Sequence, residues 1–257
     1  MKEKFQGNYL QWIMSELKGW QTIVWAIFAF GFGFQTNIWL SSPITLLTTI
    51  TYVATLVGLL CTCAMAAGKA INGLLGFISA FGFIYVNWTA GHYASVLDQL
   101  IFVVLIDAPL MFTWKTWGQR FQAKVKSLNG KGYVVSIIGM LIAWAILYPI
   151  YVELGDSNPV WDSLVLAIGA TASLLCTLHF AQQADFWFGE DLFNIVLWFT
   201  ALQGGYSQAA LAMLVSTLMY FSTAVYSRFF SPWHEARVVI KAKRQTNTNL
   251  KTNEING

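Results

Sequence analysis

Charge is what this chain most lacks: 15 Lys and Arg and 12 Asp and Glu make up 11% of 257 residues, where soluble domains carry about 25%. That is too little polar surface to cover a globular domain of this length, which excludes a soluble enzyme, a nucleic-acid binder and a disordered regulator. Cysteine is scarce too. Cys61, Cys63 and Cys176 all sit inside apolar runs and suggest neither a disulfide framework nor a metal framework. There is no His-Glu-x-x-His and no Gly-x-Ser-x-Gly, so the familiar local signatures of hydrolytic chemistry are missing. Residues 1–19 contain no apolar core of the kind a cleavable leader needs.

What fills the space is apolar. Residues of the AVILMFWYC set make up 56% of the chain, 16% are aromatic, and 12 of these are Trp; mean hydropathy is +0.55. Crossing about 30 Å of hydrocarbon takes about 20 apolar residues, and eight runs qualify: Trp20–Leu40, Ile44–Ala67, Ile71–Thr89, Ala94–Trp114, Tyr133–Tyr151, Trp161–Ala181, Phe186–Gln203 and Tyr206–Phe230. The chain therefore reads as an all-α polytopic membrane protein. Residues 1–19 form an aqueous N-terminus, 20–230 the membrane domain, and 231–257 a polar tail whose Lys, Asn and Thr predict disorder.

The basic residues orient it. All 15 fall in four segments: Lys2, Lys4 and Lys18; Lys69; Lys115, Arg120, Lys124, Lys126 and Lys131; and Arg228, Arg237, Lys241, Lys243, Arg244 and Lys251. With eight spans these segments share one side, and the positive-inside rule makes that side, with both termini, cytoplasmic in a plasma membrane. An internal repeat is also visible. Gly76, Gly91 and Tyr93 recur as Gly189, Gly204 and Tyr206 at a common offset of about 113 residues, which lays the third span on the seventh and the fourth on the eighth. The expected architecture is one extra N-terminal helix, a three-span unit (44–114), a linker span (133–151) and a second three-span unit (161–230).

Several stretches carry a family resemblance: Lys69-x-x-Asn72-x-x-x-Gly76, Tyr93-Ala94-Ser95 with Gln99, Trp161-Asp162-Ser163, Trp187-x-x-x-Asp191 and Leu202-Gln203-Gly204. Over roughly residues 50–230 the chain resembles the Pnu vitamin transporters. The resemblance implies a 3+1+3 parallel-repeat fold related to the SWEET sugar carriers, a homotrimer, and facilitated diffusion of nicotinamide riboside without a cofactor. It also implies trapping by a cytoplasmic kinase that phosphorylates the substrate. One departure matters. The family's Trp-x-x-Trp at the start of the seventh span falls on Ala184 and Trp187, and the aromatic pattern after Pro109 becomes Trp114 and Trp117. A missing indole reshapes a stacking site, so thiamine, riboflavin or a deoxynucleoside stand as alternative substrates.

Polar groups within spans nominate the binding residues. Trp187, Asp191, Asn194 and Trp198 fall at i, i+4, i+7 and i+11, one face of a helix, offering two aromatic planes and two hydrogen-bonding groups to a flat heterocycle. Gln99 and the mid-span Asp107 join them, as do Trp117, Gln183, Asn72, Trp161 and Asp162. Asn72 reads equally as a helix cap, and Trp161 as an interfacial anchor. Asp98 reads as solvated near the outer surface and Glu190 as reaching water at the cytoplasmic end, yet with Asp107 and Asp191 they are also the four carboxylates left within spans without a basic partner, candidates for a polar, cation-tolerant path. His92, His179 and His234 are scattered, and none reads as a ligand. Gly58, Gly76, Gly82, Gly139 and Gly169 read as close-packing positions. Three other readings compete with a vitamin carrier: a sugar uniporter, the membrane subunit of an energy-coupled importer, and an intramembrane protease using Asp107 and Asp191. The last has no supporting local motif.

Overall fold

A computed structural model describes residues 6–115, 126–205, 207–231, 234–235, 237–240, 242 and 246. Among these the chain forms a short helix α1 (Tyr9–Glu16) and eight long ones: α2 (Thr22–Ser41), α3 (Leu46–Ala66), α4 (Asn72–Ala90), α5 (Tyr93–Thr113), α6 (Gly130–Glu153), α7 (Pro159–Thr177), α8 (Gln183–Gly204) and α9 (Ala210–Phe230). Helix is the expected answer in lipid, where no water is present to satisfy a backbone N–H or C=O.

All of the long helices except α8 are apolar and long enough to cross a membrane. α8, at 22 residues, matches them in length but carries Asp185, Glu190 and Asp191. Its charges turn inward: Glu190 and Asp191 line a central cavity, and Asp185 pairs with Arg228 and Arg237 at 3.2 and 3.1 Å.

Packing arranges six helices as a closed ring in the order α3, α4, α5, α7, α8, α9 and back to α3. α2 lies outside against α3 and α9, and α6 leans chiefly on α7, touching α8 through Tyr133 and Phe186 and α5 through Tyr151. Tyr151 is the one buried residue of α6, whereas α7 buries eleven residues, including Asp162, Ser163 and Gly169.

Local chemistry places the ends and bends. Thr45 and Thr48 cap α3 reciprocally, and Asn129 caps α6. α4 and α8 stop at Gly91 and Gly205, whose φ of +72° and +66° are left-handed. Gly204, matched to Gly91 in sequence, is still helical; the left-handed stop of α8 is Gly205. Gly189, with nothing within 4 Å of an added Cβ, does not share the crowding of Gly76. α5 widens into a π-helical turn over Val103–Asp107, just before Pro109. Proline cannot pair with the carbonyl four residues back; here that group, on Leu105, accepts instead from Thr177 Oγ1 at 2.9 Å.

The N-terminal segment is more ordered than its composition suggests. Asn8 and Gln11 close a reciprocal capping box on α1. Trp12, 3% exposed, packs near Trp114 and Tyr9, with ring centroids 5.4 and 5.1 Å away. The Glu16 carboxylate accepts from the backbone N–H of Ala70 and Ile71 at 2.6 and 3.3 Å, tying α1 to the start of α4.

Candidate functional site

The ring encloses a cavity of about 180 Å³ that draws wall residues from all six helices. α8 contributes one helical face to it: Ala184, Trp187, Glu190, Asp191, Asn194 and Trp198. α5 contributes Ser95, Asp98, Gln99, Phe102 and Asp107, while Asn87, Phe83, Thr217 and Tyr220 close the opposite wall. No Lys, Arg or His lines the cavity among the described residues, and four carboxylates do.

The aromatic planes are held at fixed angles. Trp187 meets Phe102 edge-on at 5.3 Å, and its Nε1 donates to Gln183 Oε1 at 3.3 Å. Trp198 is 2% exposed and takes the His92 ring edge-on at 5.1 Å. Phe83 and Tyr220 pair edge-on at 6.5 Å.

Glycines make room for the carboxylates. A Cβ on Gly76 would strike the Asp107 carboxylate, 2.8 Å from its Cγ, and one on Gly169 would lie 2.6 Å from Asp98 Oδ1. Gly58 likewise admits the Tyr220 hydroxyl and the Phe83 ring. Gly139, by contrast, meets nothing within 4 Å and is no packing position. Three buried acceptors on the wall, Asn87 Oδ1, Asp98 Oδ1 and Glu190 Oε2, have no hydrogen-bond partner in the protein. Such atoms are costly unless something meets them. The site therefore offers stacking planes together with acceptors for hydroxyl or amide donors, and no cation to pair with an anion among the described residues.

The structure brings Gln99, Asp107, Trp187, Asp191, Asn194 and Trp198 together on the cavity wall. It puts four other candidates elsewhere. Asp162, 0% exposed, accepts from the backbone N–H of Ala94 at 2.9 Å and of Ser95 at 3.0 Å, and from the Ser95 hydroxyl; it caps α5 and is not on the cavity wall. Trp161 stacks on Phe193 at 6.0 Å between α7 and α8. Asn72 opens α4, and its Nδ2 donates to the Lys69 carbonyl at 2.9 Å. Gln183 stands behind the wall and acts through Trp187. Trp117 lies outside the described residues.

Of the two readings open for Asp98 and Glu190, solvation fails: they are 2% and 5% exposed and line the cavity with Asp107 and Asp191. Asn87, Thr217 and Tyr220 were missed. The helical face shared by Trp187, Asp191, Asn194 and Trp198 extends one step back to Ala184 and sideways to Glu190, a signal that was available in the spacing.

Comparison with known proteins follows this geometry. The sequence profile of the family described as nicotinamide mononucleotide transporter matches residues 48–235. A curated relative, the nicotinamide riboside transporter PnuC of Neisseria mucosa, is 24% identical over 232 residues, spanning 84% of each chain. The crystal structure of the vitamin B3 transporter PnuC shares the fold, with a TM-score of 0.73 at 21% identity over 89% of this chain and 98% of that one.

Proposed function

The chain belongs to the nicotinamide mononucleotide transporter family, and from that premise we propose that it carries nicotinamide riboside across the membrane by alternating access. The observation that carries this reading is the charge of the wall: Asp98, Asp107, Glu190 and Asp191 line the cavity with no basic residue beside them. A pyridinium cation gives these buried carboxyls the counter-charge they lack, whereas a phosphate finds no cation there to pair with. The nucleoside therefore fits better than its mononucleotide. Trp187 and Trp198 supply stacking faces, and Asn194, Gln99 and Asn87 meet the carboxamide and ribose hydroxyls.

Transport is passive, with phosphorylation by a cytoplasmic kinase trapping the product. The fold is an extra N-terminal helix α2 followed by two three-helix units, 44–114 and 161–230, joined by α6 as linker (133–151). The ring order supports this, because α5 meets α7 as α9 meets α3. Both termini face the cytoplasm of a plasma-membrane protein that assembles as a homotrimer. One observation favours a second reading: Ala184 is on the cavity wall where the family's first tryptophan is expected, and the space it leaves suits a different ring system, such as thiamine or riboflavin.

Thermal stabilisation of the detergent-solubilised protein by nicotinamide riboside, its mononucleotide, thiamine and riboflavin tests both readings. Stabilisation by the riboside alone supports the first, and stabilisation by a different vitamin supports the second. Equal stabilisation by the mononucleotide refutes the charge argument.

A further inference from the structure

Outside the cavity, where the α4–α5 turn meets the α6–α7 loop, three buried side chains converge. His92, Asp156 and Asp162 are 0%, 8% and 0% exposed, and one donor atom from each lies within 4.8 Å of the others. Neither ring nitrogen of His92 has a hydrogen-bond partner in the protein. That is an expensive arrangement for a fully enclosed imidazole.

The two carboxylates are held by the backbone. Tyr93 N–H donates to Asp156 Oδ2 at 2.9 Å and Asn158 N–H to its Oδ1 at 2.8 Å, while Ala94 and Ser95 donate to Asp162. These bonds orient the oxygens; the Ser95 N–H and hydroxyl fill Asp162 Oδ1, while Asp162 Oδ2 keeps a further lone pair beside its bond from Ala94. No Lys or Arg pairs with either acid among the described residues, so two buried acidic groups without a cationic counter-charge sit beside an unpartnered nitrogen ligand. A cation resolves both problems at once.

We propose that His92, Asp156 and Asp162 form a binding site for a divalent first-row transition ion, with zinc the best match. One imidazole nitrogen and two carboxylate oxygens suit zinc rather than calcium or magnesium, which take oxygen ligands. The Ser95 hydroxyl, already bonded to Asp162, or a water completes a tetrahedron. Metal bonds of about 2.0–2.2 Å would draw the donors to about 3.3 Å apart, closer than the 4.8 Å within which they now lie. A His92 ring that meets no hydrogen-bond partner in the protein has a nitrogen lone pair to give. Its consequence is mechanical: the ion staples two inter-helix connections, already joined by Ser157 N–H to the Gly91 carbonyl at 2.9 Å, against the ring that abuts Trp198.

The test uses the full-length protein in detergent, stripped with a chelator and titrated with zinc chloride or cobalt chloride, without substrate. The expected result is one equivalent bound, a cobalt absorption band in the visible, and a Tm rise on the order of 5–10 °C at saturating zinc. Both responses are lost in His92→Gln, with at least a tenfold weaker Kd, and are retained in a His179→Gln, His234→Gln double variant. Should His92→Gln fail to fold, Asp156→Asn, which keeps an acceptor for the backbone, makes the same comparison. No band and no shift in the unmodified protein overturns the proposal. So does a zinc response that survives both substitutions.

Discussion

Replacing Trp187 by Ala removes one of two indole planes from the cavity while leaving its carboxylates in place. Trp187 is half-buried on α8, leans on Phe102 at 5.3 Å and is steered by the Gln183 amide. Stacking of a flat base on an aromatic side chain is worth about 1–3 kcal/mol by alanine substitution. The expected loss is therefore about 5- to 150-fold in Kd for nicotinamide riboside. Trp187→Phe keeps a plane and recovers most of it. Gln183→Leu reports on orientation alone. Its 3.3 Å bond is long, so about 0.5–1 kcal/mol, or two- to fivefold, is at stake. Removing the amide also removes Gln183 Nε2, which is buried without a partner, so this variant folds at least as well as the original. Calorimetric titration of each purified variant, with helicity checked by circular dichroism, gives the three constants. A folded Trp187→Ala that binds within twofold of the unsubstituted protein refutes the stacking role.

Ala184→Trp restores the family's missing indole on the cavity wall; it is expected to raise preference for nicotinamide riboside over thiamine and riboflavin in competition uptake, and unchanged selectivity removes the substrate argument built on that position. Asp162→Ala strips acceptors from two buried N–H groups of α5 and should cost about 2–5 kcal/mol, read as a lower Tm, with Asp162→Asn intermediate. Gly91→Ala forces a side chain into a φ of +72° and against Ser157 Oγ, costing at least about 1–2 kcal/mol, whereas Gly33→Ala, whose Cβ meets nothing within 4 Å, leaves Tm unchanged. Glu16→Gln removes the carboxylate charge from the Ala70 and Ile71 N–H groups; faster proteolysis within residues 6–20 is expected, and an unaltered cleavage rate means that α1 is held by Trp12 alone.

The parts of the molecule legible in sequence are those set by one helix's own periodicity. Seven of the eight apolar runs match helices long and apolar enough to span, and the α8 face falls on the cavity because residues spaced by three and four share a side. What was not legible depends on other elements. Asp98 and Glu190 look like near-surface carboxylates along the chain; only the ring, with Gly169 set against Asp98, encloses them. Asp162 looks like a ligand in a polar motif, yet its partners are backbone groups of a helix distant in sequence. The Pro109 gap was visible, but not its repair by Thr177 across the α5–α7 contact. α1 was readable from Asn8 and Gln11, a capping pair, but went unnoticed in a segment judged by its polarity.

The central claim is that an acidic, aromatic cavity passes the nucleoside and refuses its phosphate. Uptake of labelled nicotinamide riboside into liposomes containing only the purified chain tests it most directly. The account predicts uptake to equilibrium without an ion gradient, competed by unlabelled riboside and unaffected by equimolar mononucleotide. Equal competition by the mononucleotide, or no uptake until an ion gradient is imposed, would contradict it.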